Sequence, residues 1–151
     1  MADLKSILLA EDNLKDVELT LAALAEYNLA NDVVVVNDGA EALDFLYKRG
    51  KFQLRSGGNP AVVLLDIKMP KVDGLEVLRT IKSDDNMKKT PVVILTSSRE
   101  EKDLIESYNL SVNAYVVKPV NFKDFVEAVK ALGVFWAIVN EPPPGSEKRA
   151  K

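Results

Sequence analysis

The chain has 151 residues, a formal net charge of −3, 47% hydrophobic and 28% charged residues, which suits one soluble domain with a single core. It has no cysteine and no histidine, which excludes disulfides, thiolate chemistry, Ser-His-Asp catalysis and imidazole-bound zinc. A metal would have to be held by oxygen ligands, and the acidic balance gives no support for nucleic-acid binding.

In chain order, short apolar runs alternate with amphipathic segments. "SILLA" (6–10) reads as a first strand, and a helix follows with Val17, Leu21 and Leu24 on one face and Asn13 as N-cap. "VVVV" (33–36) is the second strand. Its helix opens at "DGAE", where Asp38 and Glu41 have capping-box spacing, and is expected to stop at Gly50. The connection "KRGKFQLRSGGNP" (48–60) is long for this class and is a candidate mobile segment. "AVVLLD" (61–66) is the third strand. Pro70 shapes the loop after it, and a helix opens at Asp73 with Glu76. "PVVILT" (91–96) is the fourth, followed by a helix opening at Ser98 with Glu101, and "AYVV" (114–117) is the fifth.

A last helix is expected to run from Asn121 through "FKDFVEAVKALGVFWAIV". Its end, with Leu132, Val134, Phe135, Trp136, Ile138 and Val139, is apolar almost all round. That end either packs beneath the first strand or offers aromatic anchors for self-association. The tail "NEPPPGSEKRAK" is Pro-rich, then charged, and little order is expected there. The expected division is one domain over 1–140, a flexible tail over 141–151 and no output domain. No apolar stretch reaches membrane-spanning length and "MADLKS" has no signal core, so the default location is cytoplasmic.

Continuous apolar strands alternating five times with helices imply an α/β doubly wound parallel sheet with right-handed crossovers. In such sheets ligands sit beyond the carboxyl ends of the strands. Glu11 and Asp12 follow the first strand, Asp66 ends the third, Thr96 and Ser97 end the fourth, and Lys118 with Pro119 follows the fifth. Each alone is an ordinary turn or cap residue. Together they crowd three carboxylates onto one rim, where a hard cation such as Mg²⁺ would relieve their repulsion, and a lysine opposite suits a phosphate.

The blocks "LLAEDN", "VVLLDIKMPKVDGLEVL", "VVILTSS" and "AYVVKPV" resemble, in order, the signature blocks of the response-regulator receiver domain, over about Lys5 to Val139. The longer second loop, "SYNL" and the "FW…NEPPP" ending narrow the likeness to single-domain receivers that partner phytochrome-type histidine kinases. The resemblance implies a (βα)5 flavodoxin-like sheet of strand order 2-1-3-4-5. It implies that Asp66 is the phosphoacceptor, served by a phosphohistidine of a sensor kinase. Glu11, Asp12, Asp66 and the backbone carbonyl of Lys68 would hold Mg²⁺. Thr96 and Lys118 would bind the phosphoryl group, Thr96 and Tyr115 would be the switch pair, and Pro119 would follow a cis bond. The family habit also implies a homodimer through the fourth helix, fifth strand and fifth helix, and an output through contact with an unknown downstream protein. Two departures stand out. Glu11 replaces an aspartate common at that place, and Ser111-Val112 replaces Gly-Ala before the fifth strand.

Three other functions compete. An aspartate-nucleophile phosphatase or phosphotransferase would use a second acid two residues beyond Asp66, where Lys68 stands. A dinucleotide site needs G-x-G-x-x-G after the first strand, which is missing. A docking module independent of phosphorylation would not need the full set of Glu11, Asp12, Asp66, Thr96 and Lys118.

Overall fold

The computed structural model describes residues 6–26, 33–69, 71–107, 110, 112, 114–133 and 135–138. Pro70, Ser111, Val134, the Trp136 side chain, Val139 and the tail lie outside the described residues. Five parallel strands, β1 (Ile7–Ala10), β2 (Val33–Val36), β3 (Val62–Asp66), β4 (Val92–Thr96) and β5 (Tyr115–Val117), form one sheet in the order β2-β1-β3-β4-β5. The helices are α1 (Leu14–Ala25), α2 (Gly39–Tyr47), α3 (Gly74–Ser83), α4 (Arg99–Ser107), α5 (Phe122–Ala131) and a short turn α6 (Phe135–Ile138). This is the doubly wound fold expected from the alternation of runs.

The three inner strands are buried along their whole length, and the edge strands β2 and β5 only in part. Alternate residues feed two cores, because successive side chains of a strand point to opposite faces. Ile7, Leu9, Val62, Leu64, Val93 and Leu95 pack with Val17 and Leu24 of α1 and Phe125 and Val129 of α5. Leu8, Val63, Leu65 and Ile94 pack with Phe45 of α2, Leu78 and Ile81 of α3 and Ile105 of α4.

The expected caps form. Asn13, Asp38, Asp73 and Ser98 each accept the backbone N–H three residues on, at 2.7–3.2 Å. Three expectations change. Helix α2 ends at Tyr47, before Gly50, because Lys48 takes the left-handed conformation (φ 57°) and the Arg49 N–H turns back to the Asp44 carbonyl at 2.8 Å. The 48–60 connection is built onto α2. It makes a 3-10 turn at Gly50–Phe52 and sets the Phe52 ring edge-on to Phe45. Arg55 lies over the Phe45 ring at 4.0 Å and donates to the Phe45 and Gly58 carbonyls at 2.9 and 3.0 Å. Finally, the last helix is not continuous. Gly133 at φ 75° stops it after α5, and Ile138 of α6 is buried in the core layer formed with α1 and α5. Phe135, half-buried, packs against the same core layer.

One close approach ties the fold to the strand ends. A β-carbon on Gly74, the first residue of α3, would lie 2.1 Å from the Asp66 carbonyl oxygen and 2.7 Å from Ile67 Cα. Only backbone can yield there. Gly74→Ala is therefore expected to lose about 2 kcal/mol in urea unfolding. Gly58→Ala, where nothing lies within 4 Å, should change stability by less than about 0.5 kcal/mol. Equal stability of the two variants would show that the β3–α3 backbone yields freely.

Candidate functional site

Sheet register assembles the site. Ala10 pairs with Leu65, so Glu11 comes to the rim beside Asp66. Asp66 pairs with Leu95, which brings Thr96 to the next place on the rim. Thr96 pairs with Val117, and the Lys118 N–H donates to the Thr96 carbonyl at 2.8 Å. Four strand ends thus put their terminal polar residues on one edge.

Carboxylate oxygens of Glu11, Asp12 and Asp66 lie within 4.8 Å of one another, with Glu11 and Asp66 buried and Asp12 exposed. Such a set of hard, anionic oxygens fits a divalent cation with room for water on the Asp12 side. Lys118 supplies positive charge from the protein itself. Its Nζ stands 3.2 Å from Glu11 Oε1, 3.2 Å from Asp66 Oδ1 and 3.1 Å from Asp16 Oδ2.

The electrostatics follow from this packing. Burial, reinforced by the Asp66 charge, raises the Glu11 carboxyl to about 7. Burial also raises Asp66, against the downward pull of Lys118. For Lys118, burial works against the charged form, yet Asp66, Asp16 and Glu11 together raise its pKa overall. The lysine therefore stays protonated and partly balances a cluster whose acids resist ionisation.

Around this centre stand the other residues singled out in the sequence. Thr96 is buried at the end of β4. Tyr115 shares its sheet face one diagonal step away, since Ile94 pairs with Tyr115 and Thr96 with Val117. Its hydroxyl is buried with no hydrogen-bond partner among the described residues. The Lys118–Pro119 bond is cis. Lys68 is exposed, and its Nζ lies 3.4 Å from Glu101. Sequence reasoning did not single out Asp16 as a partner of Lys118. The signal was present, because the Asn13 cap puts Asp16 in the first turn of α1, one turn from the rim.

A family model for the response regulator receiver domain matches residues 7–130. This chain belongs to the response regulator receiver family. Response regulator Rcp1 of Synechocystis sp. is 39% identical over 132 residues, 87% of this chain and 88% of Rcp1. The structure of the bacteriophytochrome response regulator AtBRR is 61% identical, with a TM-score of 0.87, covering 93% of this chain and all of that one. The phosphorylated cyanobacterial phytochrome response regulator RcpA is 40% identical (TM-score 0.71; 95% and 100% covered), and the Mn²⁺-bound form of Rcp1 is 38% identical (TM-score 0.70; 93% and 99% covered). The receiver is thus related to phytochrome response regulators. No helix among the described residues is long and apolar enough to cross a membrane.

Removing the lysine counter-charge should expose the repulsion among these carboxylates. Lys118→Met, in chelator at pH 8, is expected to lose about 3 kcal/mol of unfolding free energy, because two buried carboxylates lose their counter-charge. Adding Asp66→Asn should recover part of that loss. A Lys118→Met protein as stable as wild type would mean that the cluster does not depend on this lysine.

Proposed function

We propose that the rim is a phosphoacceptor site, with Asp66 as the nucleophile and the phosphohistidine of a phytochrome-type sensor kinase as donor. The observation that carries this reading is the buried Asp66 carboxylate, held 3.2 Å from the Lys118 ammonium within a cluster of three acids. A receiver of this family implies a sensor kinase as partner, and the relatives include a phosphorylated regulator and a Mn²⁺-bound one.

Transfer forms a bond from an Asp66 carboxylate oxygen to phosphorus as the donor's N–P bond breaks, leaving its electron pair on the imidazole. Such transfer asks the protein mainly for in-line positioning and charge stabilisation. Glu11, Asp12, Asp66 and the Lys68 backbone carbonyl would hold Mg²⁺, which supplies the positive charge that lets an anionic donor approach an anionic nucleophile. Lys118 would shift from its carboxylates to the phosphoryl oxygens, and the Thr96 hydroxyl would donate to them. Pulling Thr96 inward opens space for Tyr115, whose buried hydroxyl has little to lose by turning.

The protein signals and does not turn over substrate on this reading. Two residues beyond Asp66, Lys68 offers no carboxyl for general acid–base work. We place it in the cytoplasm, with output by contact with a downstream protein. The homodimer surface would be α4, β5 and α5, where Leu104 and Val117 are exposed and Tyr115, Val117, Asp124 and Ala128 line a groove.

Incubation with acetyl phosphate and Mg²⁺ should add one acid-stable, base-labile phosphate, seen by intact mass. Chelator or Asp66→Asn should abolish it, and equal labelling of Asp66→Asn would remove the acceptor assignment. In sedimentation at micromolar concentration, beryllofluoride should shift the chain toward dimer; a monomer with and without it would eliminate that interface.

A further inference from the structure

One buried carboxylate joins two loops of the rim and has no part in the scheme above. Glu101 is the third residue of α4 and only 7% exposed. A helix-capping acid commonly stands in solvent and accepts backbone N–H groups. Here Oε1 accepts the Ser97 N–H at 2.9 Å, Oε2 accepts the Ser97 hydroxyl at 3.0 Å, and Lys68 Nζ lies 3.4 Å from the same Oε2. Burial alone would raise this carboxyl, but Ser97 and Lys68 outweigh it and hold it below its ordinary value. Ser97 directly follows Thr96, and Lys68 comes two residues after Asp66. The single carboxylate therefore spans from the β4–α4 connection to the β3–α3 loop.

We propose that Glu101 is a positioning residue for phosphoryl transfer: it parks the Lys68 ammonium and clasps the two loops together until an anionic phosphoryl group arrives at Asp66. The inference rests on Asp66 being the acceptor. Its physical basis is competition between anions for one flexible cation. Lys68 is 80% exposed in its side chain, so its attraction to Glu101 is weakened by water and easily exchanged. A phosphoryl group carries nearly two charges and lies two residues away along the chain, so it outcompetes a single carboxylate. Once Lys68 leaves, the link between the loops opens. Ser97 still binds Glu101, so the start of α4 stays capped while the β4–α4 connection is freed from the β3–α3 loop.

The test is an epistasis measurement on the full chain, using acetyl phosphate, Mg²⁺ and low ionic strength. Glu101→Gln keeps the cap: its amide oxygen accepts the Ser97 N–H and its NH₂ donates to the Ser97 hydroxyl. It frees Lys68 to attract the anionic donor, and the initial labelling rate should rise about threefold, as expected for an exposed pair, and less in high salt. In a Lys68→Met background the same substitution should leave the rate unchanged. A purely structural role would give the same effect in both backgrounds, and that result, or no effect in the wild-type background, would overturn the proposal. Asp66→Asn is run in parallel. Labelling that persists in it, or no labelling of the wild type, overturns the acceptor reading and this inference together; labelling at Asp66 without epistasis overturns this inference alone.

Discussion

Like charges must share a partly buried rim in this protein, and much of the structure answers to that constraint. Glu11 and Asp66 are buried and Asp12 stands beside them, with their oxygens within 4.8 Å. Left to themselves, such acids take up protons instead of remaining anionic, which is the direction in which both buried carboxyls move. Lys118, at the end of β5 on the same rim, reaches three carboxylates and offsets part of the cost. A deficit of positive charge remains, and a divalent cation among these oxygens would offset it.

Backbone geometry holds this arrangement in place. Parallel strands in register deliver Glu11, Asp66, Thr96 and Lys118 at successive places along one edge, and both core layers press on the three inner strands. Gly74 lets α3 begin directly against the Asp66 carbonyl, and its N–H donates to the Ile67 carbonyl at 2.8 Å. The chain can thus turn sharply after Asp66 without a side chain prising the loop outward.

Connections leave the rim toward the α4–β5 side. Thr96 and Tyr115 lie on one sheet face, Ser97 binds Glu101, and Glu101 meets Lys68. Ser97 directly follows Thr96, and Lys68 comes two residues after Asp66. On the proposed function, a change of charge at Asp66 would reach the surface of α4 and β5 through these groups.

How much was legible beforehand depended on the range of the interaction. Strands, caps and the α/β class follow from local pattern, since burial on both faces demands continuous apolar runs and a cap bonds only three residues away. The candidate residues were legible as well, because in this topology the residue after each strand must reach the same edge. Contacts between distant segments were not. The Asn13 cap placed Asp16 near the rim without marking it as a partner of Lys118, and nothing in the order of residues announces that Glu101 holds Lys68 or that Gly74 touches the Asp66 carbonyl. Nor does composition tell that Gly133 divides the last helix, or that Arg55 lays the long connection against Phe45. Sequence alone determined which groups stand at the rim; only the tertiary structure decided which of them meet, because distances between strand ends and loops are set by sheet register and helix packing.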